Sequence, residues 1–373
     1  MSAAIAGIEM QAPEYVRRIA PYVAGKPMEE LAREYGLPLQ KIVKLASNEN
    51  PRGPSPNVRA AIAAAFADIT RYPDANGFAL KAALAERYAL ASEQVVLGNG
   101  SNDILDLVSQ AFLKPGDHAV YAQHAFVVYP LVTQARGALG IEVPATPELG
   151  HDLDAMRAAI DAKTRIVFVA NPNNPTGSWV TPSALRAFIE AVPRDVIVVV
   201  DEAYDEYLAA SDQGQTARWL DSQPNLIVSR TFSKAYGLAG LRIGYGLMHR
   251  SVADLLNRVR QPFNVNALAQ TAAIAALADR AYVEESATLN RRGLDELSAG
   301  AGRLGLQVVP SHGNFVLIRV GDAARVYESL LRQGIIVRPV ANYGLPEHLR
   351  VTTGLPEENA RFLAALEKAL KPS

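Results

Sequence analysis

The amino-acid sequence predicts an α/β protein in which a mainly parallel sheet lies between helices, together with a smaller α+β domain. Short apolar runs alternate with helical segments from about residue 90, and the run VIVVV at 196–200 is continuously apolar. A continuous run is typical of a strand buried on both faces, as when helices cover both sides of a parallel sheet. After about residue 280 the order changes to separate strands and helices, which indicates a second domain.

The domain organisation follows from this change of pattern. We expect a large domain at 46–265, a small C-terminal domain at 266–373, and an N-terminal arm at 1–45 that packs on the small domain or on a partner chain. Strands are predicted at 94–100, 118–122, 165–170, 196–200, 225–234, 313–320, 335–340 and 348–354. Helices are predicted at 58–69, 101–115, 181–192, 251–263, 266–279 and 323–334.

Composition and charge narrow the class of protein. The net charge of the 373 residues is −1, so there is no electrostatic reason to expect nucleic acid or an acidic membrane as a partner. Cysteine is absent, which excludes disulfides and thiolate chemistry and fits a reducing compartment. No signal peptide and no apolar stretch long enough to span a bilayer is evident. A cytoplasmic enzyme or binding protein is expected.

Two polar loops follow predicted strands, at the strand ends where parallel sheets bind ligands. The segment GNGSND at 98–103 opens a helix, whose free N–H groups favour a phosphate, and a plain glycine-rich turn is an equal alternative. The segment NPNNPTG at 171–177 places amide side chains at a strand end. Asn174 is suited to donate a hydrogen bond to a phenolate-type oxygen.

Two further loops carry charged side chains. Asp201 follows five apolar residues, so its carboxylate needs a partner such as a protonated ring nitrogen, unless it caps the next turn; Tyr204 lies three residues later. In SRTFSKAYGLAGLRIGYG, Lys234 has no acidic neighbour in sequence. A buried lysine that loses its proton is a nucleophile, whereas a surface lysine on a glycine-rich loop is the alternative. Ser233 and Arg242 suit a second set of phosphate contacts.

One cofactor explains the four loops together. A lysine nucleophile, a carboxylate for a ring nitrogen, an amide for a ring oxygen and a phosphate cradle describe pyridoxal 5'-phosphate (PLP), an aldehyde with which Lys234 forms a Schiff base. Asp201 keeps the pyridine nitrogen protonated, so that the ring accepts electrons from a substrate carbanion. Lys234, once displaced by the substrate amine, is suited to move a proton. No metal is expected in the site.

These motifs resemble those of the fold-type I PLP-dependent aminotransferases, and the details resemble the histidinol-phosphate aminotransferase branch. The resemblance implies transamination of L-histidinol phosphate with 2-oxoglutarate, to imidazole acetol phosphate and glutamate, in histidine biosynthesis by a cytoplasmic homodimer. The further segments that carry it are PYVAGK (21–26), KLASNENPRGPSP (44–56), RYPD (71–74), RQPFNVN (260–266), GNFVLIR (313–319) and LRVTTGLP (349–356).

The resemblance also implies a role for each site residue. Lys234 carries the cofactor, Asp201 faces the pyridine nitrogen, and Phe126 stacks on the ring where the family usually has a tyrosine. Asn174 and Tyr204 face the ring oxygen. The phosphate contacts are expected from Ser101, Asn102, Ser233, Arg242 and, across the dimer, Tyr72, and the substrate contacts from Tyr22, Asn174, Arg338 and Arg350.

Arg350 matches the arginine that holds the substrate carboxylate in the family. A guanidinium grips carboxylate or phosphate with two hydrogen bonds, so Arg350 is suited to both histidinol phosphate and glutamate. Arg338 and Tyr22 are candidates for further phosphate contacts. The alternatives are a salt bridge at the sheet edge for Arg338 and packing of the N-terminal arm for Tyr22.

Other functions stay open at this point. An aromatic-amino-acid aminotransferase of the same branch is the main alternative, because imidazole and phenyl rings fill similar pockets. A PLP-dependent phosphothreonine decarboxylase is less favoured. A regulator with an aminotransferase-like domain is not expected, since the roughly 45 residues before the large domain are not basic and contain no evident helix-turn-helix.

Overall fold

The fold is described by a computed structural model, which covers residues 7–22 and 25–371. The rest of the chain lies outside the described residues, and with it parts of the predicted arm, of the PYVAGK motif and of the last predicted domain. The α-helices are α1 Glu14–Arg17, α2 Met28–Tyr35, α3 Pro56–Ala65, α4 Phe78–Tyr88, α5 Ser101–Phe112, α6 Val128–Ala135, α7 Leu153–Ala158, α8 Pro182–Ala191, α9 Arg250–Val259, α10 Ala267–Ala278, α11 Arg280–Arg303, α12 Ala323–Arg332 and α13 Pro356–Leu370.

The strands within residues 7–22 and 25–371 form three sheets. They are β1 Val43–Lys44, β2 Val95–Gly98, β3 His118–Ala122, β4 Leu139–Val143, β5 Thr164–Ala170, β6 Ile197–Asp201, β7 Leu226–Thr231, β8 Gly244–Met248, β9 Gln307–Val309, β10 Phe315–Arg319, β11 Ile335–Ile336, β12 Arg338–Val340 and β13 Leu345–Thr352. Short 3-10 helices occur at Leu39–Lys41, Phe66–Asp68, Ser92–Gln94, Asp205–Tyr207, Thr216–Trp219, Ala239–Leu241 and Ala341–Tyr343.

The large sheet has seven strands in the order β2-β8-β7-β6-β5-β3-β4. Its pairs are parallel except for the two made by β8, which is antiparallel to β2 and to β7. The central strand β6 is buried throughout, as its continuous apolar run predicts. Val198 and Val200 belong to one apolar core, and Ile197 and Val199 to another, because successive side chains point to opposite faces. The predicted α/β class is confirmed.

The C-terminal part of the chain contains a four-stranded antiparallel sheet in the order β12-β13-β10-β9. The segment IIVRPV, predicted as one strand, is divided: β11 pairs in parallel with β1, and β12 pairs with β13. Leu31 and Ile42 pack with Leu331 and Ile336 in a shared apolar cluster. The segment from α2 to β1 therefore lies against the C-terminal part of the chain, whereas Tyr15 of α1 lies against the large domain, where its backbone oxygen accepts a hydrogen bond from Gln134.

The long helix α11 and its neighbour α10 connect the two sheets. The buried alanines of α10, among them Ala269 and Ala273, belong to the core of the large sheet. Leu297 and Ala301 of α11 belong to the core of the antiparallel sheet. The boundary at 265/266 stays a prediction, and the packing of α10 favours a start of the small domain after this helix. No helix of the described residues has the length and apolar character needed to cross a membrane.

The glycine-rich strand β8 lies unusually close to the start of α5. A Cβ atom on Gly244 would come within 2.4 Å of the amide nitrogen of Ser101 and 2.6 Å of the carbonyl carbon of Gly100. Both neighbours are backbone atoms, which have no rotamer to change. Glycine at 244 thus lets the strand hold the helix start against the sheet.

The substitution Gly244→Ala should lower the free energy of unfolding by about 1–3 kcal/mol, because the added methyl group overpacks fixed backbone. Chemical denaturation with the midpoint and slope fitted together measures this change.

Gly302→Ala is the matched control, since a Cβ at Gly302 meets no atom within 4 Å and the residue lies in α11. It should stay within about 1 kcal/mol of the wild type, on the stabilising side. Equal stability of the two variants would contradict the close approach of β8 to α5.

Candidate active site

One cleft opens where β5, β6 and β7 end and the antiparallel sheet begins. All of the site residues predicted from the sequence except Tyr72 line it. They come from distant parts of the chain because the carboxyl ends of parallel strands meet at one edge of the sheet. The predicted residues that line the cleft are Tyr22, Ser101, Asn102, Phe126, Asn174, Asp201, Tyr204, Ser233, Lys234, Arg242, Arg338 and Arg350.

Lys234 is half-buried three residues after the end of β7. Its Nζ donates a hydrogen bond to the backbone oxygen of Ser47 at 3.1 Å and lies 5.8 Å from the centre of the Tyr204 ring. Burial, followed by the nearby Arg350 cation, lowers the pKa of Lys234 to about 7. A large fraction of the amine is therefore neutral near pH 7, as a nucleophilic lysine requires.

Asp201 ends β6 with only 5% of its surface exposed. Its Oδ2 accepts a hydrogen bond from the hydroxyl of Tyr129 at 3.1 Å, whereas the buried Oδ1 has no hydrogen-bond partner among the described residues. Burial raises the pKa of Asp201 to about 6. A buried carboxylate oxygen without a partner, in a cleft, fits a ligand that brings a protonated ring nitrogen.

Tyr129, which sequence reasoning missed, is the described residue that holds Asp201. Its ring is fully buried and stacks on Phe168 with centroids 4.8 Å apart and an interplanar angle of 4°. It also meets the edge of Phe126 at 5.9 Å. The same aromatic cluster therefore supports Phe126, which is expected to stack on the cofactor, and the Tyr129 hydroxyl, which donates to Asp201.

Tyr204 is positioned by Asn48, a second residue that sequence reasoning missed. The Asn48 side-chain nitrogen donates to the Tyr204 hydroxyl at 2.8 Å, and its backbone nitrogen donates to the hydroxyl of Thr352 at 2.9 Å. Asn314 donates to the backbone oxygen of Asn48 at 3.0 Å. Burial raises the pKa of Tyr204 to about 12, so the phenol stays protonated. The signal available in the sequence was the KLASNENPRGPSP motif that contains Asn48.

Arg350 lies on β13, where its guanidinium is buried. It donates to the side-chain oxygen of Asn174 and, at 2.6 Å, to the backbone oxygen of Ala46. The Nε atom of Arg350 is buried without a hydrogen-bond partner among the described residues. Burial lowers the pKa of the Arg350 guanidinium. Because the oxygen of Asn174 accepts from Arg350, its NH2 group is the part left to donate, as expected for a ring oxygen.

The start of α5 forms one wall of the cleft with Ser233 and Arg242. Nη1 of Arg242 donates to the hydroxyl of Ser233 at 3.3 Å and to the backbone oxygen of Ala239 at 3.1 Å. Gly100, which has a φ of +86°, precedes the helix, and a Cβ there would meet Nη2 of Arg242 at 2.4 Å. Because Gly100 has no side chain, the Arg242 guanidinium can lie close to the N–H groups at the start of α5. A cation beside such N–H groups suits the binding of a phosphate.

Tyr343 lines the outer part of the cleft and was not predicted. Its backbone oxygen accepts a hydrogen bond from the His124 ring, which ties the segment that carries Phe126 to the antiparallel sheet. Nearby, Arg338 donates to the hydroxyl of Tyr22 at 3.4 Å, and its guanidinium lies 5.6 Å from the centre of that ring.

Tyr72 is the predicted residue that the structure does not bring to the cleft. Its ring is 83% exposed and stacks on Phe263 with centroids 4.8 Å apart. A role towards the cofactor of the same chain therefore has no support, and the role across a dimer stays a prediction.

The cleft as a whole is cationic. Four basic side chains line it, those of Lys234, Arg242, Arg338 and Arg350, whereas Asp201 is the acidic side chain among its described lining residues. Within residues 7–22 and 25–371, no group of three or more acidic or histidine side chains is arranged to hold a metal ion. The arrangement suits a phosphorylated ring compound and anionic substrates. The residues present fit the cofactor that the sequence predicts.

Comparison with known proteins agrees with this geometry. A family model for aminotransferases of class I and II matches residues 40–366. The chain is 60% identical over 360 residues to histidinol-phosphate aminotransferase 1 of Dechloromonas aromatica strain RCB, with 96% of this chain and 99% of that protein covered. It is 59% identical over 360 residues to histidinol-phosphate aminotransferase of Methylobacillus flagellatus, with 96% and 97% covered.

A solved structure is similar over almost the whole chain. It is the crystal structure of histidinol-phosphate aminotransferase from Sinorhizobium meliloti in complex with pyridoxal-5'-phosphate, with a TM-score of 0.89 and 30% identity. The match covers 96% of this chain and 97% of that one. The sequence matches and this similarity lead to one conclusion: the chain belongs to the class I and II aminotransferase family.

Proposed function

We propose that the chain binds PLP and transfers the amino group of L-histidinol phosphate to 2-oxoglutarate. Relatives that carry the name histidinol-phosphate aminotransferase are 60% and 59% identical over 96% of the chain, and a similar solved structure contains PLP. The chemistry needs an aldehyde for the substrate amine and an electron-accepting ring, which PLP supplies when bound.

The observation that carries the choice of substrate is the pairing of two arginines. Arg338 on β12 lies directly opposite Arg350 on β13, and both line the cleft. Directly opposed residues of antiparallel strands have Cβ atoms about 5 Å apart, and like charges there repel. A dianionic phosphate relieves this repulsion better than a carboxylate does, because it carries more charge and more acceptor oxygens.

The aromatic-amino-acid aminotransferase is less favoured on the same ground. Both of its half-reactions present an α-carboxylate, for which Arg350 alone suffices. The arginine at 338, which contacts Tyr22, would then meet at most the second carboxylate of glutamate and no group of the aromatic substrate. The phosphothreonine decarboxylase reading gains no support from the named relatives.

The residues of the cleft divide the work by position. Lys234, with a pKa lowered to about 7 by burial, both binds the cofactor and moves a proton at Nζ. Asp201 would hold the ring nitrogen through the oxygen that Tyr129 leaves unpartnered, since the hydroxyl of Tyr129 donates to Oδ2. Asn174 and Tyr204 would hydrogen-bond the ring oxygen. We assign the phosphate of the cofactor to Ser101, Asn102, Ser233 and Arg242, and stacking on its ring to Phe126.

We further propose that the active form is a homodimer in which Tyr72 reaches the phosphate bound by the partner. The supporting observation is a set of exposed apolar side chains on the segment 66–78 and at position 263. They are Phe66, Ile69, Tyr72, Phe78 and Phe263. Exposed apolar side chains of this kind are stabilised when a second copy of the chain covers them. A cytoplasmic location stays a prediction.

The first test is the visible absorption spectrum of the purified protein with PLP, titrated with histidinol phosphate and, in parallel, with phenylalanine. We expect the cofactor band to respond to histidinol phosphate at far lower concentration. Lys234→Ala is the control and should lose turnover while it remains folded. A better response to phenylalanine would favour the aromatic aminotransferase, and no band with added PLP would contradict the whole assignment.

The arginine pair makes a second prediction. Arg338→Ala should raise the KM for histidinol phosphate at least about tenfold and change the KM for glutamate little, because a charge-assisted hydrogen bond to phosphate is lost. Arg350→Ala should raise the KM for both substrates. Steady-state kinetics of each half-reaction measures the difference. If Arg338→Ala affected both substrates equally, its assignment to the phosphate would be wrong.

Complementation tests the role of Tyr72. Tyr72→Ala should weaken PLP binding, whereas a mixture of Tyr72→Ala and Lys234→Ala subunits should regain one intact site per heterodimer. The regain is expected because the intact lysine of one chain meets the intact tyrosine of the other. PLP titration of each variant and of the refolded mixture measures it. Sedimentation as a monomer, or a mixture no better than its components, would refute the shared site.

A further inference from the structure

A cluster of buried charged residues lies behind the cleft and takes no part in the proposed chemistry. Arg230 is 1% exposed, and Glu202, Asp205 and Glu206 are at most 4% exposed. Arg230 donates to Oε2 of Glu202 through Nε at 3.0 Å and through Nη2 at 2.6 Å. Its Nη1 lies 2.7 Å from Oδ2 of Asp205 and 3.5 Å from Oε1 of Glu206. One guanidinium therefore binds three carboxylates.

The cluster is adjacent in sequence to three residues of the cleft. Glu202 directly follows Asp201, Asp205 directly follows Tyr204, and Arg230 precedes Lys234 by four residues on the same strand and loop. Successive side chains of a strand point to opposite faces, so Arg230 and Thr231 of β7 lie on opposite sides, and so do Asp201 and Glu202 at the end of β6.

The residues on the two faces of the strand ends line two different surfaces of the protein. Thr231 and Asp201 line the cleft, whereas Arg230, Asp205 and Glu206 line a separate groove on the other side of the strand ends. The backbone adds a further tie, because the nitrogen of Glu202 donates to the oxygen of Ser229 at 2.8 Å. The guanidinium thus joins the ends of β6 and β7 from the back of the active site.

The geometry favours arginine over any other cation at 230. Its fork reaches both Glu202 and Asp205, which a single ammonium cannot do with the same two-point geometry. The guanidinium also lies 5.3 Å from the centre of the Tyr88 ring, whose hydroxyl is 2.7 Å from that of Tyr245. Loss of the fork leaves carboxylates buried together without full compensation, so the segment that they belong to must move.

We propose that Arg230 is a positioning residue that sets the place of Asp201 and Tyr204 in the cleft through Glu202 and Asp205. The inference rests on the proposed function, since Asp201 and Tyr204 are assigned there to the cofactor ring. Displacement of either side chain by a fraction of an ångström weakens its hydrogen bond to the ring and lowers the rate of the chemical step more than substrate binding.

The test compares Arg230→Lys, which keeps the charge and loses the fork, with Arg194→Lys. Arg194 is an exposed arginine near the other end of β6, and it donates to Gln223 at 2.6 Å. For each holoenzyme we would measure the PLP affinity, the pH midpoint of the visible cofactor band, kcat and KM, and the melting temperature.

Arg230→Lys should lower kcat at least about tenfold, change KM less than about threefold and move the pH midpoint of the band by about 0.5 or more. Arg194→Lys should match the wild type in all of these. A purely structural role would lower the melting temperature and leave kcat and the pH midpoint of the folded holoenzyme unchanged, and that result would overturn the proposal.

Glu202→Gln provides a second route if Arg230→Lys does not fold. It keeps the shape of the side chain, removes one buried charge, and should move the pH midpoint and lower kcat in the same direction by a smaller factor. Wild-type values in a folded Glu202→Gln holoenzyme would overturn the proposal. Failure of the proposed function itself is distinguishable, because the wild type would then show no cofactor band before any variant is made.

Discussion

The burial of ionisable groups at the ends of β6 and β7 is the constraint on which the rest of the site depends. Both strands lie in the middle of the sheet, so Asp201 at the end of β6 is buried and Lys234, three residues after β7, is partly buried. Burial raises the pKa of the acid to about 6 and lowers that of the amine to about 7. The same physical cause therefore makes the lysine nucleophilic and leaves the carboxylate in need of a positively charged partner.

The cleft exists because three parts of the chain are joined by buried hydrogen bonds. Asn48 connects the segment after β1 to Tyr204 of the large sheet and to Thr352 of the antiparallel sheet. Arg350 connects the antiparallel sheet to Asn174 of the large one. Each buried polar group in these contacts requires its partner, so a shift of one part leaves groups unsatisfied in the others. Lys234 and Arg350 are thereby held near one another, since they donate to the backbone oxygens of the neighbouring residues Ser47 and Ala46.

Local sequence patterns predicted the central strands and the polar loops at their ends, because both depend on neighbouring residues, whereas Tyr22, Tyr72, Phe126, Arg338 and Arg350 were named from the family resemblance. The apolar runs of β5, β6 and β7 end in polar residues at the sheet edge, and those residues line the cleft. Strand β8 was missed because its glycines give no apolar signal, although they permit its approach to α5. Tyr129 was missed because its partner lies 72 positions away and nothing local distinguishes it; Asn48 lies in a recognised motif, but its partner Tyr204 is 156 positions away, so the motif alone did not reveal its role.

A buried carboxylate lies on each face at the end of β6, and the two carboxylates differ in the hydrogen-bond partners that stabilise them. Towards the groove, Glu202 has an internal partner, since the fork of Arg230 binds it twice. Towards the cleft, Asp201 has the hydroxyl of Tyr129 on one oxygen only. Behind the strand end, one guanidinium binds three carboxylates, whereas in the cleft Asp201 keeps one acceptor oxygen without a partner among the described residues. If the contacts of Arg230 hold the strand end in place, as proposed above, Asp201 cannot shift to satisfy that oxygen within the protein, and the oxygen remains available to a ligand.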